Sequence, residues 1–132
     1  IDLAAAPLAA GSEYVLTAQA ETLTGGAGDD TFIAHRWHVD DDELYGGDGN
    51  DTLRLIDGGQ IRVMDLKALV SIETITGSVA DDIIYTLATQ LTDVRRIDGG
   101  GGNDRLAIYG PTVDLTGKTI TGFASIYVSE RS

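Results

Sequence analysis

The chain has 132 residues, 42% of them hydrophobic, which suits one domain with a modest core and excludes a disordered composition. Acidic residues number 21 against 9 basic ones, a formal net charge of -12, so the surface repels nucleic acid and anionic lipid and attracts divalent cations. There is no cysteine, which excludes a disulfide, a thiolate zinc site and a cysteine nucleophile, and no apolar run approaches the roughly 20 residues of a membrane span.

In chain order, the start IDLAAAPLAAG is apolar and small but lacks a basic leading segment. It is a poor signal peptide, and the chain is expected to be a piece of something longer. TFIA (31–34) and TLRLI (52–56) are short, β-branched and apolar-rich, each directly after a glycine-rich turn, and read as strands. IRVMDL (61–66) reads the same way. DLKALVSIE (65–73) places Leu66, Leu69, Val70 and Glu73 at helical spacing, but its counterpart TGKTITGF is a poor helix former. Both are read as irregular or strand. DIIYTL (82–87) and RLAIY (105–109) are strands again, and LATQLTDVRR (87–96) has room for one helical turn. TVDL (112–115) and ASIYV (124–128) close the series as strands.

Repetition organises these pieces. GGAGDD (25–30), GGDGND (46–51) and GGGGND (99–104) share one spelling, and GSVADD (77–82) is a degenerate fourth copy. Counting the first glycine as position 1, position 6 is Asp30, Asp51, Asp82 and Asp104, and position 8 is Phe32, Leu53, Ile84 and Leu106. Two residues before each turn stand Leu23, Leu44, Ile75 and Ile97. A longer period pairs TLTGGAGDDTF with TITGSVADDII, 52 residues on, so one domain over 1–132 is read as two units of about 53 residues, 22–74 and 74–128. Turns spaced 21, 31 and 22 residues apart are too far apart for a hairpin meander and suit the coils of a solenoid. Leu23/Leu44/Ile75/Ile97 and Phe32/Leu53/Ile84/Leu106 are then expected as two apolar ladders.

The residues of the turn leave three readings. Glycine with Asp or Asn is common in hairpins. A dinucleotide fingerprint needs a helix directly after the glycines, whereas strands follow here and the acids would repel a phosphate. A metal site explains both residue types. Calcium takes about 6–8 oxygens at roughly 2.3–2.6 Å, and backbone carbonyls supply them if the chain turns tightly. Glycine permits that turning, and an acid at position 6 adds a carboxylate.

Residues 25–33, 46–54 and 99–107 fit the nonapeptide G-G-x-G-x-D-x-U-x, where U is a large apolar residue, and so resemble the RTX, or hemolysin-type calcium-binding, repeats. The resemblance implies an all-β, right-handed parallel β-solenoid (β-roll or β-helix) whose Gly-Asp turns bind Ca2+. It implies Asp30, Asp51 and Asp104 as side-chain ligands. Asp82 is a weaker one, because Ser78 and Ala80 replace glycines in its turn. The turn residues around the ion are then Gly25, Ala27, Gly28, Gly46, Asp48, Gly49, Gly77, Gly99, Gly101 and Gly102. Tandem nonapeptides would place turns on both sides of the roll, but here each glycine turn stands alone. One stack along one edge is therefore expected, with two or three ions held between neighbouring turns. Without them Asp29, Asp30, Asp48, Asp51, Asp81, Asp82 and Asp104 would crowd that edge, so folding is expected to depend on calcium.

The phrases TLTGGAGDDTF and SIETITGS are similar to sequence in RTX-containing surface-layer proteins and adhesins. That likeness implies a secreted or cell-surface structural segment, exported by a type I system, with calcium and self-association into a surface array as partners. It implies neither nucleic-acid binding nor membrane insertion. Two alternatives stand beside it: a calcium-binding appendage of a secreted enzyme or toxin, and a carbohydrate-binding module. HRWH (35–38), followed by VDDDE, keeps three readings of its own: an exposed loop, a zinc or nickel site at His35 and His38, or a surface glycan platform at Trp37. Catalysis has little to stand on, since GxSxG, HExxH and cysteine are all missing from the sequence. Arg95, Arg96 and Arg105 read as neutralising local acid.

Overall fold

The computed structural model describes residues 12–35 and 38–130; the apolar start and Trp37 lie outside them. Within the described residues the chain winds as a parallel β-solenoid of three sheets, with two 3-10 turns, Val63–Asp65 and Ala88–Leu91. The six-stranded sheet holds β1 (Glu13–Val15), β3 (Thr31–Ala34), β5 (Thr52–Leu55), β8 (Thr74–Thr76), β10 (Arg96–Asp98) and β12 (Thr119–Thr121). The three-stranded sheet holds β2 (Thr22–Thr24), β4 (Glu43–Tyr45) and β7 (Ala68–Val70). The four-stranded sheet holds β6 (Gly59–Arg62), β9 (Asp82–Leu87), β11 (Asp104–Tyr109) and β13 (Phe123–Ser129). A complete coil such as β5, β6, β7, β8 visits the six-, four- and three-stranded sheets in turn and returns 22 residues later, Leu53 pairing with Ile75.

Most of these strands are short because each needs only one inward side chain. Thr-Leu-Thr and Thr-Ile-Thr put β-branched residues on the flanks and one aliphatic residue in the core. Parallel pairing then sets like on like. Tyr14, Phe32, Leu53, Ile75, Ile97 and Ile120 form one ladder through the six-stranded sheet. Leu23, Leu44 and Leu69 form a second, and Ile61, Ile84, Leu106 and Ile126 a third. All but Ile120 and Ile126 are buried, and Tyr14 stacks on Phe32 with ring centroids 5.0 Å apart.

This register corrects the two expected ladders. Leu23 and Leu44 do not continue into Ile75 and Ile97. Those isoleucines stack instead on Phe32 and Leu53, which lie on the other side of a glycine turn. The cause is in the spacing. Gly46 and Gly77 are 31 residues apart, one 22-residue coil plus nine, and nine residues carry the chain across one strand to the next corner. Turns 25–30 and 46–51 therefore precede strands of the six-stranded sheet, whereas turns 77–82 and 99–104 follow them. The glycine turns form two stacks at opposite ends of that sheet's strands, not one stack along one edge.

Local expectations fare variously. TFIA and DIIYTL are strands as read, and ASIYV lies within β13. IRVMDL stops being a strand at Arg62 and turns into the first 3-10 turn. TVDL is not a strand; its Asp114 carboxylate instead accepts the Thr116 amide at 2.9 Å. The one helical turn in 87–96 is present at Ala88–Leu91.

Ile75 is fully buried in the middle of its ladder, whereas Val79 at the tip of a turn is 90% exposed. Ile75→Ala is expected to cost about 2–5 kcal/mol by denaturant unfolding in calcium. Val79→Ala is expected to stay within about 0.5 kcal/mol of the parent chain.

Candidate metal centre

Each glycine turn drives its position-6 aspartate into the body of the protein. Asp30 is 1% exposed, and Asp51, Asp82 and Asp104 are 0% exposed. Stacking is close enough that the backbone leaves no room for side chains. A Cβ on Gly46 would collide with the Ser71 carbonyl, and one on Gly77 with the Gly99 carbonyl. Gly49 adds a conformational demand: its φ is 105° and its Cα side faces the Gly28 backbone one coil earlier. Carbonyl oxygens are thus packed against the neighbouring turn.

The structure brings the turn carrying Gly25, Ala27 and Gly28 against the one carrying Gly46, Asp48 and Gly49, where the Gly28 amide donates to the Asp48 carbonyl at 3.2 Å. It brings Gly77 against the turn of Gly99, Gly101 and Gly102. It does not bring the two groups together.

The carboxylates link the coils. Asp51 Oδ1 accepts the Asp30 amide at 2.7 Å, and Asp104 Oδ1 accepts the Asp82 amide at 2.7 Å. Asp30 Oδ1 accepts the Ser12 amide at 3.0 Å. One position earlier, Asp29 accepts the Asn50 amide at 2.8 Å and Asp81 the Asn103 amide at 2.7 Å. The second oxygens separate the aspartates into two kinds. Asp30 Oδ2 accepts the Gly26 amide at 2.9 Å. Asp82 Oδ2 accepts the Ser78 amide at 2.8 Å, and the Ser78 hydroxyl donates to the same carboxylate. Asp51 Oδ2 and Asp104 Oδ2 are buried with no partner.

That pattern fits a cation. An unpartnered buried carboxylate oxygen is costly unless something positive meets it. In each stack the later aspartate offers one such oxygen beside packed carbonyls, the hard oxygen donors that calcium prefers. Among the described residues no three acidic or histidine side chains converge on one point, so the side-chain oxygens come in pairs and carbonyls must complete a shell. The serine that degrades the 77–82 turn does more than remove a glycine: its hydroxyl closes on Asp82 and occupies that carboxylate.

Electrostatics follow from burial. Burial, then repulsion from Asp30, Glu73 and Asp29, pushes Asp51 up to about 6 against the pull of the Asp30 amide. Burial also raises Asp82, opposed by its bonds from Ser78. Glu73 is a site residue that the glycine motif does not reveal. Its Oε2 accepts the Asp51 amide at 2.7 Å, extending the carboxylate run one more coil. The available signal was an acid 22 residues after Asp51, immediately before Thr-Ile-Thr.

The histidine cluster is arranged otherwise. His35 Nδ1 lies 3.0 Å from Asp57 Oδ2 of the next coil, and the His35 and His38 rings meet edge-on at 5.3 Å. Arg96 contacts Asp98 at 3.3 Å, so its charge is spent on a neighbouring acid.

Comparison with known families matches the RTX calcium-binding nonapeptide repeat in four copies, over residues 17–36, 39–55 and 96–107. These segments contain the turns of Asp30, Asp51 and Asp104, while the 77–82 turn lies outside them. No curated protein and no solved structure matches the chain.

The raised carboxylates fix a direction for pH. A folded-state value of about 6 for Asp51 lies above the roughly 3.9 of an unfolded aspartate. Its favourable contribution is therefore present below the unfolded value and is lost as pH rises through about 6. In chelator, the residual folded fraction read by circular dichroism is expected to be smaller at pH 7.5 than at pH 5. In saturating calcium, which needs ionised ligands, the urea midpoint is expected to rise across the same window. A residual folded fraction in chelator that is larger at pH 7.5 than at pH 5 would contradict the assignment.

Proposed function

We propose that this chain, which carries RTX calcium-binding repeats in a parallel β-solenoid, is a calcium-dependent structural module of a secreted or cell-surface bacterial protein, such as a surface-layer or adhesin segment. The observation that carries the reading is the repeated pair of buried aspartates, each pair leaving one oxygen without a partner against a stack of turn carbonyls. One ion per stack would answer both pairs. In the first stack its ligands are drawn from Asp30, Asp51 and the carbonyls of the turns carrying Gly25, Ala27, Gly28, Gly46, Asp48 and Gly49. In the second they are drawn from Asp82, Asp104 and the carbonyls of the turns carrying Gly77, Gly99, Gly101 and Gly102.

The physical consequence is conditional folding. Extracellular modules bind calcium with dissociation constants of about 10⁻⁴–10⁻³ M, so such a chain is loaded outside a cell and empty within it. Empty, it must bury stacked carboxylates that repel, within a formal net charge of -12. Loaded, the same carboxylates become cross-links between coils. The role is structural and not catalytic, since the acids are consumed in holding coils together.

A calcium titration followed by circular dichroism tests this. The β signal is expected to appear cooperatively with calcium and not with equal magnesium, whose smaller octahedral shell a carbonyl stack fits poorly. Asp51→Asn is expected to weaken the transition at least about tenfold. A chain that stays more than about 90% folded in excess chelator would overturn the reading.

A further inference from the structure

The outward face of the four-stranded sheet differs from the rest of the surface. Ile61, Ile84, Leu106 and Ile126 point inward, so their neighbours along each strand point out. One outward row crosses the strands as Arg62, Tyr85, Ala107 and Tyr127, and Tyr109 follows Ala107 two residues on. Three of the chain's five tyrosines thus share one face. None of its outward strand positions is acidic, although the chain carries 21 acids; Asp82 and Asp104, at the strand starts, are buried. Ala107 points out yet is only 7% exposed, because Tyr85 and Tyr127 on the neighbouring strands, with Tyr109, cover it. The Tyr109 and Tyr127 rings lie 5.9 Å apart at 58°, and Tyr127 is itself 58% exposed. Together they make an aromatic floor open to solvent. Arg105, exposed beside it, makes no ion pair among the described residues, whereas Arg62 holds Asp65 at 2.8 Å. Tyr109 also lines an apolar cleft of about 520 Å³ with Met64, Leu87 and Pro111.

From this floor we infer a glycan-binding site whose ligand is a β-1,4-linked N-acetylhexosamine chain lying across the strands, along the axis of the solenoid. A tyrosine ring is flat and apolar with a hydroxyl at its tip, which matches the C–H face and the hydroxyl edge of a pyranose. Tyr85 and Tyr127 stand two strands apart, roughly 9.5 Å. That is about the length of two sugar units, and in an extended β-1,4-linked chain every second ring turns the same face to one side. Alternate sugars therefore meet Tyr85 and Tyr127, with the sugar between them over Ala107. Arg105 donates to sugar hydroxyls with no carboxylate competing for it. The cleft beside Tyr109 takes acetamido methyl groups out of water. The site is separate from the glycine turns, and from Trp37, which lies outside the described residues. It runs along the side of the solenoid, so coils stacked on either end leave it open.

Calorimetric titration of the whole chain, in saturating calcium, with the β-1,4-linked hexamer of N-acetylglucosamine tests the site. The hexamer is expected to bind one to one, and the disaccharide, which cannot span both tyrosines, at least about tenfold more weakly. Tyr127→Ala, at an exposed position, is expected to weaken the hexamer about tenfold with an unchanged circular dichroism spectrum. Tyr127→Phe keeps the ring and is expected to stay within about twofold of the parent. No binding of the hexamer to the folded parent overturns the site, as does unchanged affinity in both Tyr127→Ala and Tyr85→Ala. A parent chain that is dimeric in sedimentation, and that Tyr127→Ala makes monomeric, assigns the face to a second copy and overturns the glycan. None of these results bears on calcium at the glycine turns, which the chelator experiment tests by itself.

Discussion

A carboxylate oxygen that accepts the amide of the corresponding residue one coil earlier is the contact on which the corners of this solenoid depend. It recurs from Ser12 through Asp30 and Asp51 to Glu73, from Glu21 to Asp42, and from Asp82 to Asp104. Strand ladders alone leave corner amides unsatisfied, because the chain turns away from its neighbour there. The aspartate is short enough to reach back across one coil and no further. It therefore fixes the register of coils while it closes the hydrogen-bond account of the turn. Its cost is a column of like charges in a dry place.

The column ends where the protein supplies its own positive charge. Arg95 follows Glu73 at the same corner, and Lys118 follows Arg95, each standing just before its strand. Lys118 Nζ donates to the carbonyls of Leu91 and Val94, both at 2.6 Å. At the neighbouring corner Gln90 Nε2 does similar service, donating to the Val63 carbonyl at 2.8 Å. A tethered ammonium thus puts a positive charge on turn carbonyls, with no dependence on the medium. The first corner therefore passes from stacked acids to side chains that carry their own positive charge.

Much of this was legible in the sequence. The β-solenoid follows from glycine turns and single inward aliphatics, and the position-6 aspartates were read from the motif. What the sequence concealed is phase. Thr-Leu-Thr before a turn and Thr-Ile-Thr before another look alike, yet Leu23 lies in the three-stranded sheet and Ile75 in the six-stranded one. A gapless comparison of turns cannot see that, because each corner of a solenoid presents the same turn-strand grammar. Pairing by coil length, 21 or 22 residues, separates the stacks where pairing by motif merges them. Glu73 and Asp42 were hidden for the same reason: they carry the acid of the motif without its glycines.

The shift of corner has a mechanical meaning. The first stack ties the coils of β3 and β5 at the start of their strands, and the second ties those of β8 and β10 at the end of theirs. Each of these four central strands is thus pinned at one end by a turn and held at the other by the paired sheet. Had all four turns shared one corner, the opposite ends would have been secured by strand pairing alone, and the carboxylate column would have run unbroken through four coils. Splitting it halves the run of repelling glycine-turn aspartates while keeping every coil attached. The Ile75 layer, where Leu53 meets Ile75 and Ile75 meets Ile97, joins the two halves, beside the bond from the Asp51 amide to Glu73.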